Sequence, residues 1–151
     1  MFGMFGKIWR RDTQEGRAVK IKILLRFYFS AGSLNRALDN LILHLALAAG
    51  QDAYRGCGEY FDRITKLISD KSELSVLWAE LDGVISGMTE RDRAALSLYG
   101  GARGGIAEGW KREVHRAAVK FSRRAGRLLA VRGGYYQLLR TYRCLISSAP
   151  D

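Results

Sequence analysis

Proline is almost missing from this chain: the single copy, Pro150, stands next to the last of 151 residues. Proline fixes φ and removes a backbone donor, so its absence leaves nothing in the body of the chain to break a helix. Cysteine is scarce as well. Cys57 and Cys144 lack the clustered histidines or carboxylates of a four-ligand zinc site, and two thiols do not make the disulfide framework of a small secreted domain. His44 and His115 are the only histidines, in separate segments, and neither has a Ser or Cys nucleophile motif beside it. The glycines of "YGGARGGIAEGW" lack the G-K-[ST] that a phosphate loop requires. Asp62, Asp70, Glu73, Glu80 and Asp82 recur at helical intervals with no Glu-x-x-His among them, which reads as a solvated helix face. These absences argue against an enzyme, a bound metal and a cofactor.

Long apolar runs are absent too. The opening "MFGMFGKIWRR" and the later "LILHLALAAG" both fall far short of the roughly 20 residues that span a bilayer. Gly3 is one place too late for the myristoylation pattern, and no secretory leader is recognisable. The chain therefore reads as cytoplasmic with no membrane span. Phe2, Phe5 and Trp9 are left to pack on the domain or fray in solvent, or else to touch a membrane or a partner.

Hydrophobic residues make up 48% of the chain and charged residues 26%, ordinary proportions for one globular domain. The net charge of +10 is not ordinary, and it is segregated. Residues 1–50 hold 8 Lys and Arg against 3 Asp and Glu, residues 51–99 hold 6 against 9, and residues 100–151 hold 11 against 3. Such a balance favours association with phosphate-rich or acidic partners.

Helical periodicity runs throughout, and no segment alternates with period two. The expected fold is all-α, a single compact domain of five to seven helices without a sheet. Residues 1–16 read as a flexible N-terminal segment and 17–151 as the helical domain, with 85–132 as its basic binding unit. A first helix over 17–29 carries Val19, Ile23, Leu24 and Phe27, and "SAGS" separates it from a second over 34–49, capped by Ser33 and ended by Gly50. The stretch 56–88 carries the stripe Tyr60, Ile64, Leu67, Ile68, Leu74, Leu77, Trp78 and Leu81, as one long helix or two in series broken at 69–72, and Gly87 closes it. Thr89 caps a short helix with acids in its first turn. "GGARGG" (100–105) reads as a flexible turn, and "YYQLLRTYRCLIS" as a last helix.

The segment "KREVHRAAVKFSRRAGRLLAVR" (111–132) has Glu113 as its one acid. At about 100° per residue, Arg112, Arg116, Lys120, Arg123, Arg124 and Arg127 fall in one sector of roughly 120°. Val114, Ala117, Ala118, Phe121, Ala125 and Leu128 occupy the opposite sector. A core face thus backs a cationic strip, and Arg103, Lys111, Arg112, Arg116, Lys120, Arg123, Arg124 and Arg127 are the candidate contacts to nucleic acid or another anionic partner. No Asn or Gln lies between 103 and 132, which leaves Arg112, Arg116 and Arg123 to read guanine. Tyr135, Tyr136 and Tyr142 offer stacking platforms for a single strand, although a terminal tyrosine cluster reads first as packing.

Residues 85–129, "ISGMTERDRAALSLYGGARGGIAEGWKREVHRAAVKFSRRAGRLL", resemble the fourth conserved region of bacterial sigma factors and the small sigma-like regulators of phages and mobile elements of Firmicutes. "MTERDRAALSLYGG" is similar to the first helix of that pattern, "GIAEGW" to the next, and "REVHRAAVKFSRRAGRLL" to the recognition helix. The resemblance implies a DNA-binding regulator with 112–127 as its recognition helix. The residues alone leave a second class open: a phage-type protein inhibitor, of the anti-CRISPR kind, that docks on a host nucleoprotein through RNA or an acidic protein surface.

Overall fold

The computed structural model describes residues 2–51, 58–101, 108–126, 128 and 134–148, with side chains from Val19 onward apart from those at 101, 134, 136, 147 and 148. The described residues are almost all helical and contain no strand. In chain order they form α1 (Phe2–Gln51), α2 (Gly58–Ser86), α3 (Glu90–Gly101), a 3₁₀ turn (Glu108–Trp110), α4 (Lys111–Arg124), α5 (Gly134–Thr141) and α6 (Arg143–Ser148). The all-α fold expected from the sequence is the fold observed. Residues 2–16, which the sequence reads as a flexible segment, are helical and form the start of α1, and their side chains, those of Phe2, Phe5 and Trp9 included, lie outside the described residues. So do Arg103, Arg127 and Cys57.

The expected break at "SAGS" does not occur. α1 continues through Ser30, Gly32 and Ser33, and the reason is burial. Leu24, Leu25 and Phe27 before the site and Leu34 and Leu38 after it are all buried along the helix. Each such side chain contributes about 1.5–3 kcal/mol when buried, against about 1 kcal/mol lost by a glycine inside a helix. Ser30 is absorbed too, its hydroxyl donating to the Arg26 carbonyl four residues back at 2.5 Å.

α2 is one unbroken helix antiparallel to α1. Lys71 meets Asp39 at 2.5 Å, the Tyr28 hydroxyl donates to Asp82 at 2.7 Å, and the Trp78 ring nitrogen donates to the Tyr28 carbonyl at 3.3 Å. The rings of Tyr28 and Trp78 stack, centroids 5.4 Å apart. Leu74, Leu77, Leu81 and Ile85 are the buried residues of α2, whereas Ile68 and Trp78 of the expected stripe are exposed, as are Val19 and Leu41 on α1. The distal half of the hairpin is thinly covered among the described residues: between 39 and 51 Ala49 alone is buried, and between 58 and 73 no described residue is.

α3 begins as its sequence requires, with the Thr89 hydroxyl accepting from the Asp92 amide at 3.2 Å. It then runs through Gly100, which the sequence placed in a flexible turn. Gly100 is buried where α3 crosses α1. A Cβ there would sit 3.1 Å from the Leu25 backbone carbon and 3.2 Å from the Arg26 nitrogen, and the Gly100 carbonyl accepts from Arg26 Nε at 3.1 Å. The last helix is also corrected, because it divides at Tyr142. That side chain turns inward to donate to Asp70 at 2.5 Å, and the helical bond from its amide to the Leu138 carbonyl is stretched to 3.4 Å.

Candidate anionic-partner surface

α4 is built from the two faces its sequence specifies. Val114, Ala117, Phe121 and Ala125 are buried in the common core, Leu128 is half-buried at its edge, and Ala118 is half-buried. Lys111, Arg112, His115, Arg116, Lys120, Arg123 and Arg124 are exposed. The helix starts at Trp110 without a side-chain cap, and Glu108–Trp110 is a single 3₁₀ turn leading straight into it.

Several of the expected contact residues are already engaged within the fold. Lys120 pairs with Asp92 of α3 at 3.2 Å, a carboxylate that is only 15% exposed, and Lys111 pairs with Glu108 at 3.4 Å. Arg124 donates to the carbonyl of Gly87, just past the end of α2, at 3.0 Å. Arg91 of α3 holds both carboxylate oxygens of Glu113. This bond, reinforced by the charges of Arg91 and Arg116, keeps the Glu113 carboxyl below the ordinary carboxylate range against an opposing desolvation, and the Arg91 guanidinium is raised in turn.

Arg112, Arg116 and Arg123 are different. None makes an ion pair with any described residue, and they lie within roughly 40° of one another around the helix. They span roughly 16 Å along its axis at 1.5 Å per residue. Val119, 38% exposed, sits among them. Among the described residues, the strip read from the sequence thus narrows to three arginines beside an apolar spot, with Lys120 and Arg124 tying α4 to α3 and to the end of α2.

The other candidates resolve in the same way. Tyr142 is core, and burial together with its bond to Asp70 raises its hydroxyl pKa. Tyr135 packs half-buried against the core, its hydroxyl also raised, by burial and by the charges of Glu80 and Glu73. The tyrosines therefore serve packing, while Tyr136 lies outside the described side chains. His44 and His115 are both exposed and far apart in the chain. The acids of α2 are not simply solvated: Asp70 and Asp82 are half-buried acceptors for Tyr142 and Tyr28. Periodicity could not reveal this, because the donors come from other helices. Among the described residues no three His, Cys, Asp or Glu side chains are grouped to hold a metal, and no helix is long and apolar enough to cross a membrane.

Fold and surface together describe a helical protein that presents one arginine-rich helix face. Compared with protein-family models, with curated proteins and with solved structures, the chain matches none.

Proposed function

We propose that this chain is a non-catalytic regulator that docks on a nucleic-acid backbone through Arg112, Arg116 and Arg123. The observation that carries the reading is the contrast among the described cations of α4: Lys111, Lys120 and Arg124 have partners within the chain, and Arg112, Arg116 and Arg123 make no ion pair with a described residue. Like charges so close together repel by a few tenths of a kcal/mol per pair, a cost that an anionic partner removes. A guanidinium suits this role, since its planar fork grips phosphate oxygens in pairs and stays charged at any physiological pH.

Backbone contact is favoured over base reading. The acid at the start of the helix, Glu113, is held by Arg91, and among the described residues a 3₁₀ turn, Glu108–Trp110, leads into the helix. A sigma-like regulator that reads bases through residues 112–127 is the finer form of this proposal, and selection from a duplex library tests it.

Val119 favours a second reading, a protein or nucleoprotein target, because an exposed apolar side chain beside arginines is the composition of a protein contact patch. One experiment separates the two. Binding to fluorescent duplex DNA and RNA is followed by anisotropy across a salt series. Three phosphate contacts give a slope of log K against log salt of about −2.7, and the double variant Arg112→Gln with Arg116→Gln lowers its magnitude by about 1.8. A slope unaffected by that variant sinks the backbone reading. If no duplex binds, a pull-down with and without nuclease decides for the inhibitor class when a protein survives the nuclease.

A further inference from the structure

A second cationic site lies away from α4, in a cleft of about 260 Å³ between α1 and α6. α1 supplies Val19, Lys22, Ile23 and Arg26, which at spacings of three and four residues share one helix face, and α6 supplies Arg143 and Ile146. The lining is two-toned. Val19, Ile23 and Ile146 are aliphatic, and Lys22, Arg26 and Arg143 are cationic, with no carboxylate among the described lining residues.

None of the three cations makes an ion pair with a described residue. Two of them are nonetheless held in place, and by uncharged groups. Arg26 Nε donates to the Gly100 carbonyl at 3.1 Å, which fixes the plane of its guanidinium and leaves its other nitrogens to donate elsewhere. Lys22 Nζ stands 5.8 Å from the centre of the Tyr99 ring. Partners of this kind orient a cation without cancelling its charge. The ordering entropy of Arg26 is therefore already spent before a ligand arrives.

We infer that this cleft binds a small amphipathic anion, a carboxylate or phosphate head on a short alkyl chain, with Lys22, Arg26 and Arg143 around the head and Val19, Ile23 and Ile146 along the chain. The volume sits just below the roughly 300–1,000 Å³ of drug-sized pockets, so the ligand is small. The site is independent of the α4 strip.

The test is calorimetric titration of the full chain with octanoate, octyl phosphate, octanol and acetate. Octanoate, octyl phosphate or both bind, and whichever binds more tightly identifies the head. Octanol and acetate each bind at least about tenfold more weakly, because each lacks one half of the recognition. Arg143→Gln lowers affinity for the better probe by about tenfold or more and leaves the circular dichroism spectrum and melting temperature unchanged, since Arg143 is exposed. Arg112→Gln leaves the affinity as it is. Acetate binding as tightly as octanoate would reduce the cleft to a bare anion site. Octanol binding equally would reduce it to an apolar crevice. Either result overturns the inference, as does failure of both anionic probes or full affinity in Arg143→Gln.

Discussion

Arg91 of α3 grips both carboxylate oxygens of Glu113 on α4, so the one acid in the basic helix faces its own fold and not a partner. Glu113→Ala removes one negative charge and releases one guanidinium beside the strip. The expected outcome is stronger binding to every duplex with a steeper salt slope, by up to about 0.9 for one added phosphate contact. Selection from a random duplex library then shows no new preferred sequence. A shifted preference of about 1–3 kcal/mol at one base pair would instead make Glu113 a base-reading residue.

The same pair leaves an acid-side signature. Glu113 has its folded pKa depressed by the Arg91 hydrogen bond, below an ordinary value of 4.5. Its contribution to stability is therefore present above that ordinary value and is lost as pH falls through the depressed folded value. Arg91→Gln should leave a shallower acid limb in a plot of melting temperature against pH, with little change in shape near neutrality. An acid limb identical to the parent's would mean that the pair is fully solvated and contributes nothing.

Tyr28 leaves the opposite signature. Burial, then its hydrogen bond to Asp82, raises its pKa from 10.0 to about 12. A raised folded value means that the contribution is complete below 10 and disappears as pH rises through about 12. Tyr28→Phe should cost about 0.5–1.5 kcal/mol at neutral pH and flatten the alkaline loss of stability. Tyrosinate absorbance during an alkaline titration checks this directly, because the variant loses one late-titrating chromophore.

Gly100→Ala tests the crossing of α1 and α3. The added methyl meets the backbone of Leu25 and Arg26 at 3.1–3.2 Å, and backbone cannot swing aside as a side-chain tip can. A loss of about 1–3 kcal/mol follows in chemical denaturation. Gly32→Ala is the control on α1, since an added Cβ there has nothing within 4 Å; it should stabilise slightly through helix propensity.

What the sequence carries openly is what depends on neighbours three and four residues apart. The two faces of α4, the Thr89 cap and the helical character of the whole chain are of this kind, because i, i+3 and i, i+4 spacing alone determines them. Gly32 and Gly100 are of the other kind. Both look like breaks, and only the packing of Leu34 and Leu38 across from α2, or of Gly100 against Leu25, turns them into helix interior. The narrowing of the strip was hidden for the same reason. Lys120 and Arg124 resemble Arg123 on a helical projection, and their partners Asp92 and Gly87 lie 28 and 37 residues away.

Arg123 and Arg124 are adjacent in sequence and alike in chemistry, yet their surroundings differ. Arg124 donates to the Gly87 carbonyl and joins the C-terminus of α4 to the end of α2, where a cation also suits the dipole of the helix it closes. Arg123 makes no ion pair with any described residue and lies in line with Arg112 and Arg116. Arg124→Gln should therefore destabilise the fold by about 0.5–1.5 kcal/mol and alter the salt slope little. Arg123→Gln should leave stability within about 0.5 kcal/mol and lower the magnitude of the slope by about 0.9. Denaturation and anisotropy measured on the same two proteins check both halves at once. If the two variants behave alike in either measurement, the division of α4 into a structural edge and a binding centre is wrong.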